Sequence, residues 1–198
     1  MLSTFTVILL TLLVALIFLA FKYHVFTPIS VKIEHIAPVK IVYTTFIGPY
    51  KEAWKPSMQL FNEKLPDDFK PHCPGATKYI GIYYDDPKIT KPEDCRSVIG
   101  FVVDDDFKLK DDANGKMHVD TIEIGEAACV HFPFYSMLDV IVGVMRCYPL
   151  IGKWFNENHK SNIPKAFLEF YGFLPDTISI TGPIGPRVGL LGEFPKHE

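Results

Sequence analysis

From Met1 to Phe21 the chain carries no charged side chain, and residues Phe5 to Phe21 read FTVILLTLLVALIFLAF. At 1.5 Å rise per residue, about 20 such residues cross a hydrocarbon core roughly 30 Å thick. A cleaved signal peptide is the competing reading, but no basic residue precedes the apolar run, and Ala20 has Phe18 two positions before it where a small residue belongs. The pattern therefore predicts a transmembrane anchor over residues 1–23 that stays with the chain. Lys22, Lys32 and Lys40 follow the span and no lysine or arginine precedes it, so the positive-inside rule predicts a single-pass topology with the N-terminus lumenal or exterior and the rest cytosolic. Phe21, Tyr23 and Phe26 fall where interfacial aromatics gather.

The other residues of this 198-residue chain suffice for one domain. We divide them into a juxtamembrane linker over 24–28, a domain over 29–185 and a short tail over 186–198. A net charge of -3 lacks the basic excess that phosphate neutralisation requires, so direct nucleic-acid binding is not expected. Cys73, Cys95, Cys129 and Cys147 contain no C-x-x-C pair and no zinc spacing. In a reducing cytosol they are expected as free thiols, three of them buried or half-buried.

Period-two alternation marks Ile29–Ile36 and Val39–Ile47 as strands, read as a hairpin about Ala37-Pro38. Tyr50 to Leu65 has helical spacing, but Pro56 removes an amide donor, so the firm helix is expected from Pro56. Lys78–Tyr84 and Ser97–Val103 read as two further strands. The second half repeats the order: strands at His118–Ile124 and Ala127–Pro133, a helix carrying Leu138, Ile141, Val142 and Met145 at helical spacing and kinked at Pro149, then strands at Ala166–Gly172 and Thr177–Gly182. FNEK at Phe61 and FNEN at Phe155 close the two helices. The fold class expected is α+β, a duplicated antiparallel sheet with both helices on one face and a concave groove on the other.

The segment KYIGIYYDDPKITKPEDCRSVIGF from Lys78 to Phe101, with TTFIGPYKEAW at Thr44 and FLEFYG at Phe167, resembles the GyrI-like domain family, relatives of the SOUL proteins. The YYDDP and PEDCR block looks closest to the testis-expressed, single-pass endoplasmic reticulum (ER) autophagy receptors of animals within it. That resemblance implies a duplicated strand-helix-strand-strand fold and an ER-membrane-anchored binding module or adaptor of the reticulophagy type facing the cytosol. Its implied partners are ubiquitin-like autophagy modifiers or a AAA ATPase. In those receptors the autophagy motif lies in a long acidic, serine-rich tail, and residues 186–198 have no such composition, so the receptor role is not expected to carry over whole.

An autophagy-interaction motif needs an exposed aromatic, two spacers and an aliphatic residue that add as a strand to a sheet edge. Tyr79–Ile82 and Tyr148–Ile151 fall within a predicted strand and a predicted helix, which leaves Tyr171 and Leu174. Glu169 stands where related ligand-binding members project an acid towards cationic ligands or use it in hydrolysis. An acid among tyrosines would have a raised pKa. Tyr43, Tyr50, Tyr83, His131 and Tyr135 are candidate wall residues around it, although each is more often simple core. A small lipophilic ligand is the alternative partner. His131 alone is weak grounds for haem, and Asp104–Asp106 with Asp111-Asp112 read as a solvated turn rather than a calcium loop. No cofactor, metal or catalytic triad is expected.

Overall fold

In the computed structural model, residues 3–65, 78–110, 112–159, 162–185 and 188–195 are described. Helix α1 (Thr4–Lys22) is followed by strands β1 (Lys32–Ile36) and β2 (Val39–Ile47), helix α2 (Tyr50–Lys64), and strands β3 (Tyr79–Tyr83) and β4 (Arg96–Val102). The second half supplies β5 (His118–Ile122), β6 (Gly125–Pro133), α3 (Met137–Asn158), β7 (Phe167–Tyr171) and β8 (Thr177–Pro183). All eight strands form one antiparallel sheet ordered β1-β6-β8-β7-β3-β4-β2-β5. Exchanging each strand for its counterpart four places later reverses this order into itself, so the fold is α+β with a pseudo-twofold axis between β3 and β7.

The expected β1–β2 hairpin does not form. β1 pairs with β6, while β2 pairs with β4 and β5. Two-residue hairpin turns need positive φ, which Pro38 cannot adopt, so the chain runs on through Ala37-Pro38. Ile36 stands opposite Gly125 and Val39 opposite Ile122. The register is therefore unbroken, and β1–β2 lies as one long ribbon against β5–β6. Each half lends its first strand to the other half's side of the sheet, which curls as a result.

α2 runs from Tyr50 to Lys64 without a break at Pro56, contrary to the expected late start. The lost amide bond is offset by packing, because Ala53, Ser57 and Phe61 recur every four residues and are all buried. α3 likewise continues through Pro149 as one element. Its buried residues are Asp139, Gly143, Cys147, Ile151 and Phe155. Of the stripe read from sequence, Leu138, Ile141 and Met145 are turned outward and exposed, while Val142 is half-buried against the core.

α2 packs on β2 and β4, and α3 on β6 and β8, which leaves the central β3–β7 pair between the helices. The expected groove on the opposite face is filled. Ile41, Ile82, Val98 and Leu168 form a core there with Leu190 and Leu191, and the Tyr84 hydroxyl donates to Leu190 O at 2.6 Å. Residues assigned to a tail thus close the domain. The YYDDP and PEDCR block is a structural clasp: Arg96 donates from Nη2 and Nε to the two Asp85 oxygens at 2.7 and 3.0 Å, and Tyr50 Oη donates to Asp85 O at 2.9 Å. Cys95, Cys129 and Cys147 are free and buried, and burial pushes the Cys129 and Cys147 thiols up to about 11 and about 12. Cys73 and Asp111 lie outside the described residues.

The twofold is broken where the helices end. Phe61 packs edge-on against Phe101 at 4.7 Å, whereas the register puts Gly182 at the place equivalent to Phe101, and there a Cβ would run into the Phe155 and Phe167 rings. Gly182→Val should therefore destabilise by roughly 1–3 kcal/mol through overpacking. Gly152→Ala, at a helical position where a Cβ meets nothing within 4 Å, should stabilise by about 0.5–1 kcal/mol. Thermal melting of the detergent-solubilised full chain checks both signs.

Candidate functional site

β7 alternates strictly. Leu168 and Phe170 face the core away from the helices, while Phe167, Glu169 and Tyr171 face the helices. Register places Glu169 opposite Gly81 at the middle of the β3–β7 pair, so the acid sits on the pseudo-twofold axis. It is 5% exposed. A carboxylate in such a place needs donors, and tyrosines supply them. Tyr148 of α3 donates to Glu169 Oε1 at 2.9 Å and Tyr171 to Oε2 at 2.6 Å, and the Tyr83 hydroxyl lies near enough to act on the carboxyl. Trp54 Nε1 of α2 in turn donates to the Tyr83 hydroxyl at 3.2 Å.

The constellation follows the duplication. Tyr83 and Tyr171 are equivalent by register, each two residues after the axial pair Gly81 and Glu169. Trp54 and Tyr148 each stand seven residues before the phenylalanine that closes their helix. Gly81 is what lets the arrangement hold one acid. A Cβ there would fall 2.8 Å from the Tyr83 hydroxyl, so the tyrosine lies over the glycine and reaches across the axis. A second carboxylate at this point would set two like charges in a dry site.

Burial raises the Glu169 pKa above its ordinary value of 4.5, against the lowering effect of hydrogen bonds from Tyr171, Tyr148 and Tyr83. Desolvation wins because the phenols are neutral donors, and among the described residues every group acting on the carboxyl is a tyrosine. Burial, followed by the nearby Glu169 charge, holds the Tyr83, Tyr148 and Tyr171 hydroxyls well above their usual range, so they remain donors. Aromatic rings surround the acid: Tyr50 lies 4.9 Å from Tyr83, Trp54 5.4 Å from Tyr171 and Tyr148 5.7 Å from Phe167, all near edge-on. Trp54 and Tyr148 are half-buried and form the outer layer. Electron-rich faces over one uncompensated acid suit an organic cation.

Of the residues expected around Glu169, the structure brings Tyr83 beside it and Tyr50 against Tyr83, and not the others. Tyr43 belongs to the core on the opposite face, where burial and then the Asp120 charge raise its pKa to about 12. His131 shares that face, and its ring nitrogens meet Ser179 Oγ at 2.7 Å and Glu34 Oε1 at 2.9 Å, which leaves neither free for haem. Tyr135 is exposed and packs against His24 at 5.7 Å. Tyr171 cannot serve an autophagy motif with Leu174 in this fold, since it is buried in a strand paired on both sides and bonded to Glu169.

Sequence reasoning missed Trp54, Tyr148 and the pocket role of Tyr171. Tyr171 carried a signal, because it shares strand parity with Glu169. An open depression of about 520 Å³ lies elsewhere, between Tyr84, Arg96, Lys165 and Gly192–Phe194. Of its two cations, Arg96 is already engaged by Asp85, and the depression does not include the buried acid, so we place the candidate site at Glu169.

Solved structures share the architecture at low identity. EcmrR in its complex with DNA is 14% identical, with 88% of this chain and 64% of that chain covered at a TM-score of 0.52. The C-terminal domain of EcmrR is 13% identical, covering 79% and 98% at 0.51, and an uncharacterized conserved protein from Listeria innocua is 8% identical, covering 79% and 92% at 0.49. Identities this low carry likeness of fold alone. No curated protein matches the chain in sequence, and the likeness to ER autophagy receptors has no counterpart in these similarities. Residues 30–172 match the family described as the GyrI-like small molecule binding domain, a span covering most of the chain, and this protein is therefore a member of the GyrI-like small-molecule-binding family.

Proposed function

We propose that the protein is a membrane-tethered receptor for a lipophilic organic cation, held between α2 and α3 with Glu169 as its counter-ion. The observation that carries this reading is a buried carboxyl satisfied only by neutral phenols at the centre of a small-molecule-binding fold. Trp54 and Tyr148 are the movable outer layer: rotation of either side chain opens a path to the acid. The cation would replace lost solvation, and its aromatic or aliphatic parts would stack on Trp54, Tyr83 and Tyr171. Binding is favoured over hydrolysis because both carboxyl oxygens are already committed to tyrosine hydroxyls.

α1 is the tether. It is long and apolar enough to cross a membrane, and none of its residues is buried against the domain. The lysines that follow it support a cytosolic domain, and the sequence resemblance points to the ER as the membrane. A sequon engineered at exposed Lys88 should remain unglycosylated in cells. Glycan attachment there would reverse the orientation.

The sign of the Glu169 shift gives two further expectations. A carboxyl whose folded pKa is raised costs stability as pH climbs from its ordinary value through its folded value, because the unfolded chain ionises first. Glu169→Gln removes that cost, so the variant should melt higher than wild type at neutral pH, by about 2–4 °C per kcal/mol relieved. Below pH 4.5 the two should converge. Ligand binding has the opposite dependence, since the cation needs the ionised acid. Affinity for a probe such as a tetraarylphosphonium, measured by calorimetry, should rise with pH and lose its pH dependence in Glu169→Gln. Unchanged affinity in that variant would overturn the counter-ion role.

A further inference from the structure

α3 turns Gly143, Cys147, Ile151 and Phe155 to the core, and its opposite stripe is apolar over the first three turns. Leu138, Ile141 and Met145 are 48%, 55% and 71% exposed, and Pro149 continues the line. The stripe then changes character: Lys153, Asn156 and Glu157 are exposed, with Lys153 and Glu157 paired at 3.7 Å. An ordinary soluble helix would be polar along the whole of this face.

The linker that follows the anchor is fastened to this helix. Arg146 of α3 donates from Nη1 to His24 O at 2.8 Å and from Nη2 to Thr27 O at 2.6 Å, while its guanidinium lies over the Phe132 ring at 5.6 Å. His24, in the left-handed region at φ 57, ends the turn after α1 and stacks on Tyr135. The linker is thus held against the domain, and α3 begins where α1 ends. Exposed Phe21 and Phe26, in ring contact at 5.5 Å, continue the apolar surface on the linker side.

We propose that the first three turns of α3 lie in the bilayer interface beside the exit of α1, so that the domain rests on the membrane surface. The proposal depends on the anchored reading of α1 given above. The occupant is lipid rather than a second copy, because the segment that follows the span is fastened beside this stripe: His24 and Thr27 accept from Arg146, next to Met145, and His24 packs on Tyr135 just before the helix starts. Interfacial helices bury their apolar face ~5–10 Å into the boundary of headgroups and acyl chains, and Met, Leu and Ile at this spacing match that depth. Tyr148 lies on the same helix, so a lipophilic ligand dissolved in the membrane would meet the site's outer layer directly.

The test reconstitutes the full chain in phosphatidylcholine vesicles with or without bromine on the upper acyl chain, and compares Ile141→Trp with Asn156→Trp after subtracting the wild-type emission of Trp54 and Trp154. Met145→Trp replaces Ile141→Trp if the latter does not melt as wild type does. The expected result is that bromolipid removes on the order of half of the added emission at 141 or 145 and little at 156. Equal, weak quenching at both ends in protein that floats with the vesicles overturns the proposal. So does an unquenched 141 signal accompanied by cross-linked dimer, which would assign the face to a second copy. Protein that does not float removes the anchor reading itself, a failure visible before any fluorescence is read.

Discussion

The pairing of β3 with β7 is the contact on which the rest of the molecule depends. It joins the two halves at the pseudo-twofold axis and brings Gly81 opposite Glu169. The helices cover the sheet on either side of this pair, so the axis is the one place on that face lined by both. The absence of a side chain at Gly81 and the presence of an acid at Glu169 are two parts of one geometric solution. Moving the register by one residue would send the acid into the apolar core of the other face.

Energetically the site is a compromise between burial and hydrogen bonding. Two phenols keep the carboxyl satisfied as an acceptor, with a third beside it, without supplying the positive charge that would hold it ionised. The fold therefore tolerates a carboxyl that is hydrogen-bonded but has no cation beside it. A lysine or arginine in the place of Tyr148 would settle the charge and would also occupy the ground that a ligand needs. The aromatic lining contributes to stability, since the same edge-on rings pack the helices on the sheet.

Much of this architecture was legible from residues. The alternation in Val39–Ile47, Ala127–Pro133 and Thr177–Gly182 and the repeated order of elements led to the duplicated α+β fold. What failed did so for identifiable reasons. The short gap at Ala37-Pro38 suggests a hairpin, although Pro38 cannot take the positive φ of a type I′ turn and β1 finds its partner in the other half. Pro56 suggested a break that the packing of Ala53, Ser57 and Phe61 overrides. In α3 the most hydrophobic stripe was taken for the buried one, yet the core selected Gly143 and Cys147 for their small size. Glu169 was found by its strand and family position, whereas Trp54 and Tyr148 could not be, because which face a helix turns inward is set by the sheet beneath it. Tyr43 and His131 were chosen by residue type, and strand parity sends both to the opposite face.

The exchange of first strands between halves bears on how the chain assembles during synthesis. β2 has β4 beside it within the first half, but its other neighbour, β5, comes from the second, and β1 finds its partner only in β6. While the ribosome is still making the second half, the completed first half carries an open edge on β2 and an unpaired β1 close to the anchor. The acid and its tyrosines come together only after β7 has emerged. A nascent chain of this topology must reach nearly its full length before the surroundings of Glu169 are complete, and long-range strand pairing of this kind makes the final step slow.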